Sequence, residues 1–230
     1  KALEDAFGLQ AAIDDRSRAH ALGDRHTSPE DARHPNALYV VAGTGIGMAI
    51  FLDGRLFRGS TRGSGEFGHT VIDPAGPLCG CGNRGCVESF ASIGAIVQFV
   101  NAARPSAGLT MEKIAQAATA GDPLALHAIQ RAGSALGVGI ANMVQVLNPS
   151  LVVLSGRLVR LTGNRLFDAV REAIQKYCLE LPSRSVEVRT ARVKKDICAV
   201  GCAMLAAEPA AARVLRERLS DPFTDGAAWN

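Results

Sequence analysis

The chain has 230 residues, of which 47% are hydrophobic and 20% are charged, so it can bury a substantial core and is not intrinsically disordered. Its 25 lysines and arginines against 22 aspartates and glutamates give a net charge of +3. They form no basic run, which argues against a nucleic-acid-binding face within these residues. No segment approaches the roughly 18 consecutive apolar residues of a membrane-spanning helix. These properties describe a soluble globular protein with no membrane partner.

The N-terminal region shows no signal peptide and does not begin with methionine, so we expect a cytoplasmic protein whose chain begins inside a longer one. The pattern predicts the end of a helix over Lys1–Phe7, which Gly8 stops. A short strand at Ala11–Ile13 and a helix over Ser17–Gly23 are predicted next. The segment Asp24–Asn36 is polar and contains two prolines, which predicts a loop.

Apolar runs separated by turns follow this loop. The run Ala37–Ala42 predicts a strand, which breaks at a glycine-rich turn and resumes as Met48–Leu52. Asp53-Gly54 joins it to a third strand at Arg55–Phe57, because an Asp-Gly pair between apolar runs is typical of a hairpin. The segment from Gly59 to Gly85 shows neither helical nor strand periodicity of its apolar residues. We therefore interpret it as an irregular insertion that carries a functional site.

The remainder of the chain alternates helical patterns with short apolar runs. Helices are predicted over Glu88–Ala103, Thr110–Ala120, Asp122–Leu147, Asn164–Leu181 and Ile197 to about Leu219, and strands at Leu151–Leu154 and Val186–Arg189. The tail Ser220–Asn230 is expected to be frayed. Strands followed by helices that alternate with strands indicate an α/β fold.

Three of the six cysteines are clustered and follow a histidine: His69, Cys79, Cys81 and Cys86. One imidazole and three thiolates are the ligands of a closed tetrahedral zinc site. Because the protein would fill all four positions, the zinc would be structural. The alternative is three buried, unligated cysteines beside an unrelated histidine. So dense a cluster among glycines favours the metal site.

Three side chains near this cluster are candidates for binding a ligand. If the segment Gly65–His69 turns helically, Glu66 and His69 lie on one face at positions i and i+3. Glu66 can accept hydrogen bonds from vicinal hydroxyls, and His69 offers a ligand the ring nitrogen that is not on zinc. Glu88 is the third candidate. Taken alone, Glu66 is equally compatible with a solvated surface carboxylate, and Glu88 with an acidic residue at a helix start.

The glycine-rich turn between the first two strands exposes backbone N–H groups that can cradle a phosphate, at Gly43, Thr44, Gly45 and Gly47. A glycine-rich hairpin without a ligand explains this sequence equally well. The turn matches neither a Walker loop nor a dinucleotide-binding fingerprint.

Together these segments resemble the ROK family, named for repressors, open reading frames and kinases. The glycine-rich turn, the Asp53-Gly54 turn, the segment Gly65–His69 and the block Cys79–Glu88 match the family signature in order and spacing. The resemblance covers about Leu3 to Leu205. It implies an actin/hexokinase-like (ribonuclease H-like) α/β fold with a hexose in the cleft between two lobes, assembled as a homodimer or homotetramer.

The resemblance also implies a domain organisation and residue roles. Residues 1–36 would be the remnant of the N-terminal lobe, residues 37–207 a zinc-containing sugar-binding and oligomerisation lobe, and residues 208–230 a C-terminal helix and tail. Carried onto matching positions, structural Zn²⁺ would be held by His69, Cys79, Cys81 and Cys86, and sugar hydroxyls would be contacted by Glu66, His69 and Glu88. Asp15 is a further candidate for contacting the sugar.

The family contains ATP-dependent sugar kinases and also transcription factors that use the same cleft as a sugar sensor. Family kinases carry an Asn-Asp pair in the stretch that matches Asp15-Arg16, and the aspartate is the general base. Arg16 cannot take a proton at neutral pH, because its pKa lies above about 12. A one-residue shift would offer Asp14 or Asp15 as the base, but Arg18 and Ala19–Leu22 fit the unshifted alignment.

Residues on the nucleotide side also depart from the kinases. Ala49 replaces a glycine that usually extends the phosphate loop, Ser155-Gly156 replaces a Gly-Gly pair, and the family's Asp-x-Gly-Gly-Thr strand is not in the chain. We therefore predict a catalytically inactive, sugar-sensing domain of a ROK-type regulator, whose DNA contacts lie in an N-terminal segment outside this chain. The alternative is a sugar kinase that uses Mg-ATP. A third possibility is a degenerate family member that has lost sugar binding and keeps only the zinc-stabilised fold for dimerisation.

Overall fold

The computed structural model describes residues 2–9, 11–192 and 196–207. The tail predicted at Ser220–Asn230 and the predicted continuation of the last helix to about Leu219 lie outside these residues. The described residues form two compact units. The first combines the described parts of 1–29 and 193–230, and the second comprises residues 30–192. The last described segment thus groups with the first unit, whereas the sequence-based division placed residues 37–207 together.

A five-stranded sheet with the order β3-β2-β1-β4-β5 is the framework of the second unit. Its strands are, in chain order, β1 (Ala37–Ala42), β2 (Ile46–Leu52), β3 (Arg55–Phe57), β4 (Leu151–Ser155) and β5 (Glu187–Thr190). β1 pairs antiparallel with β2 and parallel with β4. β1 is buried along its whole length and β4 in all but its last residue, as expected for continuous apolar runs in the middle of a sheet.

Besides two short 3-10 helices, ten α-helices lie in the described part of the chain. They are α1 (Ala2–Phe7), α2 (Arg16–Thr27), α3 (Val87–Ala91), α4 (Ile93–Ala103), α5 (Met111–Thr119), α6 (Pro123–Leu147), α7 (Arg157–Thr162), α8 (Asn164–Tyr177), α9 (Glu180–Ser185) and α10 (197–207). Side chains of Asp15, Ser92, Thr110 and Asp122 cap the starts of α2, α4, α5 and α6. None of these described helices is long and apolar enough to cross a bilayer.

The core of the second unit is organised around α6, which packs closely against α8. A Cβ atom added to Gly133 would lie 2.7 Å from the Cβ of Ala169, and one added to Gly137 would lie 2.5 Å from the Cβ of Ala173. These separations are below van der Waals contact, so the two glycines permit the close approach of the helices. Three of the longer apolar side chains of α6, those of Ile129, Leu136 and Ile140, are almost fully buried.

In the first unit, two glycines bring α2 and α10 together. A Cβ on Gly23 would collide with the carbonyl oxygen of Ile197, and a Cβ on Gly201 would collide with that of Ala19. The close backbone approach explains why residues 197–207 group with the beginning of the chain, because only glycine lacks the atom that would separate the helices.

Two predictions for the N-terminal region are wrong in part. Residues 11–13 form no strand, and Ile13 is 82% exposed, because three apolar residues bury too little surface to hold an extended segment. The helix predicted over Ser17–Gly23 is α2, which continues to Thr27. The loop predicted over Asp24–Asn36 therefore begins later, and it contains a short 3-10 helix, Pro29–Arg33.

Two predicted helices are each divided in two. The helix predicted over Glu88–Ala103 breaks at Ser92, whose extended backbone and capping side chain start α4. The helix predicted over Asn164–Leu181 ends at Tyr177, and α9 follows it. Helix α7 was not predicted, because six residues carry too little periodicity. The remaining described strands and helices are confirmed to within about two residues.

Candidate metal and ligand site

Residues 69–86, termed the metal loop here, fold back on themselves between β3 and α3. Two isolated antiparallel bridges join Val71 with Cys86 and Leu78 with Arg84. Gly85 adopts a φ of +70°, and a Cβ at this position would collide with the carbonyl oxygen of Asp73. Only glycine satisfies both conditions, so the backbone closes tightly around a small interior.

The metal loop brings the four predicted zinc ligands together. Ligand atoms of His69, Cys79, Cys81 and Cys86 all lie within 4.8 Å of one another. The Cys79 Sγ is 3.6 Å from the His69 Nδ1, and the Cys81 Sγ is 3.7 Å from the Cys86 Sγ. Tetrahedral coordination with Zn–S near about 2.3 Å and Zn–N near about 2.0 Å would give roughly 3.5 Å and 3.8 Å for these separations. The cluster can therefore hold a four-coordinate metal ion.

The thiols of the cluster have contrasting environments. The backbone N–H of Asn83 lowers the pKa of the Cys81 thiol to about 7. Burial, together with the neighbouring thiols, raises the pKa of the Cys86 thiol to about 12. A bound cation would reverse this second effect, because a thiol that coordinates a metal is deprotonated. The donor set, which is three sulfur atoms and one imidazole nitrogen, thus suits a divalent metal ion that prefers soft ligands.

Glu66 and His69 are linked by the single 3-10 turn Phe67–His69, in which the His69 N–H donates to the Glu66 carbonyl at 3.0 Å. Residues i and i+3 lie on the same side of such a turn, as the spacing predicted. Gly65 and Gly68 allow this turn to pack directly against β2, because a Cβ atom on either residue would collide with a carbonyl oxygen of that strand. Glu66 is exposed and His69 is half-buried, so both can meet a ligand.

Glu88 makes a contact that sequence reasoning missed. Its Oε2 accepts a hydrogen bond of 2.8 Å from the backbone N–H of Ile46. A Cβ on Gly45 would lie only 3.2 Å from the same oxygen. Glu88 stands in the first turn of α3, directly after the metal loop, so its side chain connects that loop to the glycine-rich turn. A carboxylate accepts at both oxygens, and Glu88 can therefore contact a ligand as well.

The glycine-rich turn uses part of its donor capacity within the protein. The Gly43 N–H donates to the Gly45 carbonyl at 3.0 Å, and the Ile46 N–H donates to Glu88. None of the three glycines of this turn has a positive φ. Thr44 is exposed. The phosphate contacts predicted for Gly43, Thr44, Gly45 and Gly47 stay a prediction. The turn offers a phosphate fewer N–H groups than its sequence indicates, because some of them are bonded within the protein.

The start of α2, in the first unit, carries Asp14, Asp15 and Arg16, the residues on which the sequence-based prediction of a catalytically inactive protein depends. Arg16 is the first residue of this helix and is exposed. Asp15 Oδ1 accepts the Ser17 N–H at 2.7 Å and caps the helix. Asp14 forms a largely buried ion pair with Arg18, in which the carboxylate and the guanidinium approach to 2.5 Å. The contact predicted between Asp15 and a sugar stays a prediction.

Comparison with known proteins gives the class of the molecule. The family model described as "ROK family" matches residues 1–209, so the chain belongs to the ROK family. The xylose repressor of Caldicellulosiruptor bescii is 28% identical over 212 residues, which cover 87% of this chain and 53% of the repressor. The chain therefore spans about half the length of this relative.

Solved structures show the same fold. The ROK hexokinase from Thermus thermophilus has a TM-score of 0.81 and 29% identity, and the alignment covers 91% of this chain and 69% of the hexokinase. A ROK family transcriptional regulator, a homologue of the E. coli MLC protein, has a TM-score of 0.79 and 30% identity. The alignment covers 89% of this chain and 54% of the regulator. The predicted actin/hexokinase-like α/β fold is confirmed. Kinases and regulators resemble the chain equally well, so the site must decide between them.

Proposed function

We propose that this chain is the sugar-sensing part of a ROK-type transcriptional regulator and that it does not phosphorylate its ligand. The observation that carries the proposal is the set of side chains at the start of α2. Phosphoryl transfer to a sugar hydroxyl needs a base positioned to take the proton. Arg16 stays protonated at neutral pH and cannot be that base.

The neighbouring carboxylates are poor substitutes for a base. Asp15 uses one oxygen to cap α2, and Asp14 is held in the ion pair with Arg18. Moving either carboxylate toward a substrate would break a helix cap or separate a largely buried charge pair, both of which are costly. This arrangement supports binding without catalysis.

Sugar recognition in this proposal uses Glu66, His69 and Glu88 of the second unit. Carboxylates accept hydrogen bonds from vicinal hydroxyls, and an imidazole offers one further donor or acceptor. The His69 Nδ1 lies against the Cys79 Sγ, which leaves Nε2 for the ligand. Xylose and hexose sugars occur in the names of relatives that resemble this chain, which supports a sugar as the ligand.

We infer that the metal of the Cys/His cluster is Zn²⁺ and that its role is structural. His69, Cys79, Cys81 and Cys86 would supply all four ligands of a tetrahedral site and leave no position for a reactive water. Zinc would cross-link the metal loop and fix the orientation of the His69 ring. That ring then presents its free nitrogen at a constant position beside Glu66.

A sensor acts because its ligand binds one conformation better than another. Sugar binding would shift the population of conformations of the regulator, and a homodimer or homotetramer would convert the shift into a changed spacing of its DNA-binding segments. In this proposal those segments precede the chain described here. The DNA-binding segments need not contact the sugar directly.

The test is a calorimetric titration of the full-length protein that contains this chain with neutral hexoses, pentoses and amino sugars, each with and without Mg-ATP. Saturable binding of one sugar, unchanged by ATP and without ADP release, is the expected result. Continuous heat with ADP release would establish the sugar kinase and refute the role assigned to Arg16. No affinity for any sugar would favour a degenerate member that keeps only the fold.

A further inference from the structure

A cavity lies on the second unit, between α6 and α8 and beside residues 72 and 73 of the metal loop. Its volume is about 390 Å³, within the range of roughly 300–1,000 Å³ that small-molecule sites occupy. Asp73 and Phe90 line one side, Arg131 of α6 lines another, and Glu172 and Lys176 of α8 line the third. Glu66, His69 and Glu88 do not line it, so this α6–α8 cavity is separate from the proposed sugar site.

Arg131 is held in a defined orientation within this cavity. Its guanidinium carbon lies 5.0 Å from the centre of the Phe90 ring and 4.8 Å from the centre of the Phe99 ring. Both rings attract a cation at this distance and hold the guanidinium near Phe90 and Phe99. Within the described residues, no carboxylate or carbonyl oxygen accepts from Arg131. The half-buried guanidinium is therefore available to an anionic group of a ligand.

The other charged residues of the cavity are of mixed sign. The Lys176 Nζ lies 5.1 Å from the centre of the Tyr177 ring and is a second cation. Asp73 Oδ1 already accepts the Ala75 N–H at 3.0 Å. Glu172 has no hydrogen bond or ion pair to the described part of the chain. The cavity therefore offers Arg131 and Lys176 to an anionic group and Glu172 to a cationic one.

We propose that the α6–α8 cavity binds a small zwitterion, with a carboxylate or phosphate group on Arg131 and an ammonium group on Glu172. A ligand with only negative charge would face Glu172 and Asp73, and a ligand with only positive charge would face Arg131 and Lys176. A small zwitterion can meet charges of both signs, including those of Glu172 and Lys176, which are exposed at positions i and i+4 of α8.

The experiment titrates the full-length protein with two groups of probes that share this chemistry. One group is the common α-amino acids, and the other is glucosamine 6-phosphate. N-acetylglucosamine 6-phosphate is the matched ligand without an ammonium group. We expect a member of one group to bind with a Kd below about 1 mM, and Arg131→Met to weaken it at least about tenfold. For glucosamine 6-phosphate, acetylation should weaken binding to a similar extent.

Three further variants separate this site from its alternatives. Arg171→Met is the matched control, because Arg171 of α8 also stacks on a ring, that of Phe167, but does not line the cavity. Glu172→Gln should lower the affinity for the zwitterion several-fold, whereas Glu66→Gln should leave that affinity unchanged. Melting curves and metal content should match the wild type in each variant.

Several results would overturn the proposal. The first is the absence of binding by every probe at about 10 mM, roughly ten times the highest Kd expected. The second is undiminished binding to Arg131→Met. The third is that the acetylated sugar phosphate binds as well as glucosamine 6-phosphate and no amino acid binds. Loss of binding in Glu66→Gln would assign the ligand to the sugar site instead. Self-association that Arg131→Met abolishes would show that a second copy of the chain occupies the cavity.

Discussion

The metal loop and the pair α6–α8 belong to the same unit but are held by different physical means. The two helices bury a continuous apolar face and approach closely at Gly133 and Gly137. The metal loop buries few side chains and depends on backbone bonds and on four convergent ligands. Apolar packing tolerates a changed pH or a chelator, whereas a metal-held loop does not. In the proposed function, His69 contacts the sugar from the loop that the metal would hold, and Glu66 and Glu88 lie just outside the two ends of that loop.

The largest expected effect is that of Cys86→Ser, which removes a buried metal ligand. Zinc content should fall from one ion per chain to near zero, and the melting temperature should drop by about 10 °C or more, because metal-binding energy contributes to folding energy. Hydrogen exchange should accelerate across residues 69–86 and stay slow in α6. Cys202→Ser is the control, since that cysteine is exposed on α10. A Cys86→Ser protein with full metal content would contradict the ligand assignment.

The complementary change is Leu136→Ala in α6. Leu136 is fully buried, so its truncation should lower the free energy of unfolding by about 2–5 kcal/mol in urea denaturation. Val146→Ala, on the 74% exposed Val146 of the same helix, should change it by less than about 0.5 kcal/mol. Zinc content should be unchanged in both. If Leu136→Ala also released the metal, the two regions would not be independent.

An intermediate effect is expected at Glu88, which joins the metal loop to the glycine-rich turn. Glu88→Ala leaves the buried Ile46 N–H without its acceptor and should cost about 1–3 kcal/mol. Glu88→Gln keeps an oxygen acceptor and should cost less, while both variants weaken sugar binding. Equal stability of Glu88→Ala and the wild type would show that this bond contributes nothing.

The smallest effect is predicted at the start of α6. The backbone N–H of Ala125 and the Arg104 guanidinium hold the pKa of the Asp122 carboxyl below its ordinary value. The stability that this carboxylate contributes is therefore present above its unfolded pKa and is lost as the pH falls through its folded pKa. Asp122→Ala should lower the melting temperature by about 2–4 °C at neutral pH. The difference should vanish in acid, and Asp168→Ala on α8 should show neither effect.

The sequence predicted local features better than long-range ones. Continuous apolar runs identified β1 and β4, and Asp122 and Pro123 marked the start of α6, because these signals depend on neighbouring residues. Cysteine spacing identified, for the same reason, the four His and Cys residues that the structure brings together. The bond between Glu88 and Ile46 joins residues that are 42 positions apart, and no local pattern encodes it.

The grouping of the C-terminal helix was also beyond the sequence. Gly23 and Gly201 are separately unremarkable glycines within helices, and only their close contacts with Ile197 and Ala19 show that α2 and α10 pack together. A glycine that permits close approach looks the same in a sequence as one that ends a helix. The division at residues 29 and 193 follows from that packing rather than from any change in composition.

The most direct test of the central claim is the sugar affinity of Cys81→Ser, compared with that of the wild type and of Cys202→Ser. The claim is that the metal positions Glu66 and His69 for the ligand. We predict that a zinc-free Cys81→Ser protein binds the sugar roughly tenfold or more weakly, since groups held through a metal lose their orientation with it. Unchanged sugar affinity in that zinc-free protein would contradict the account.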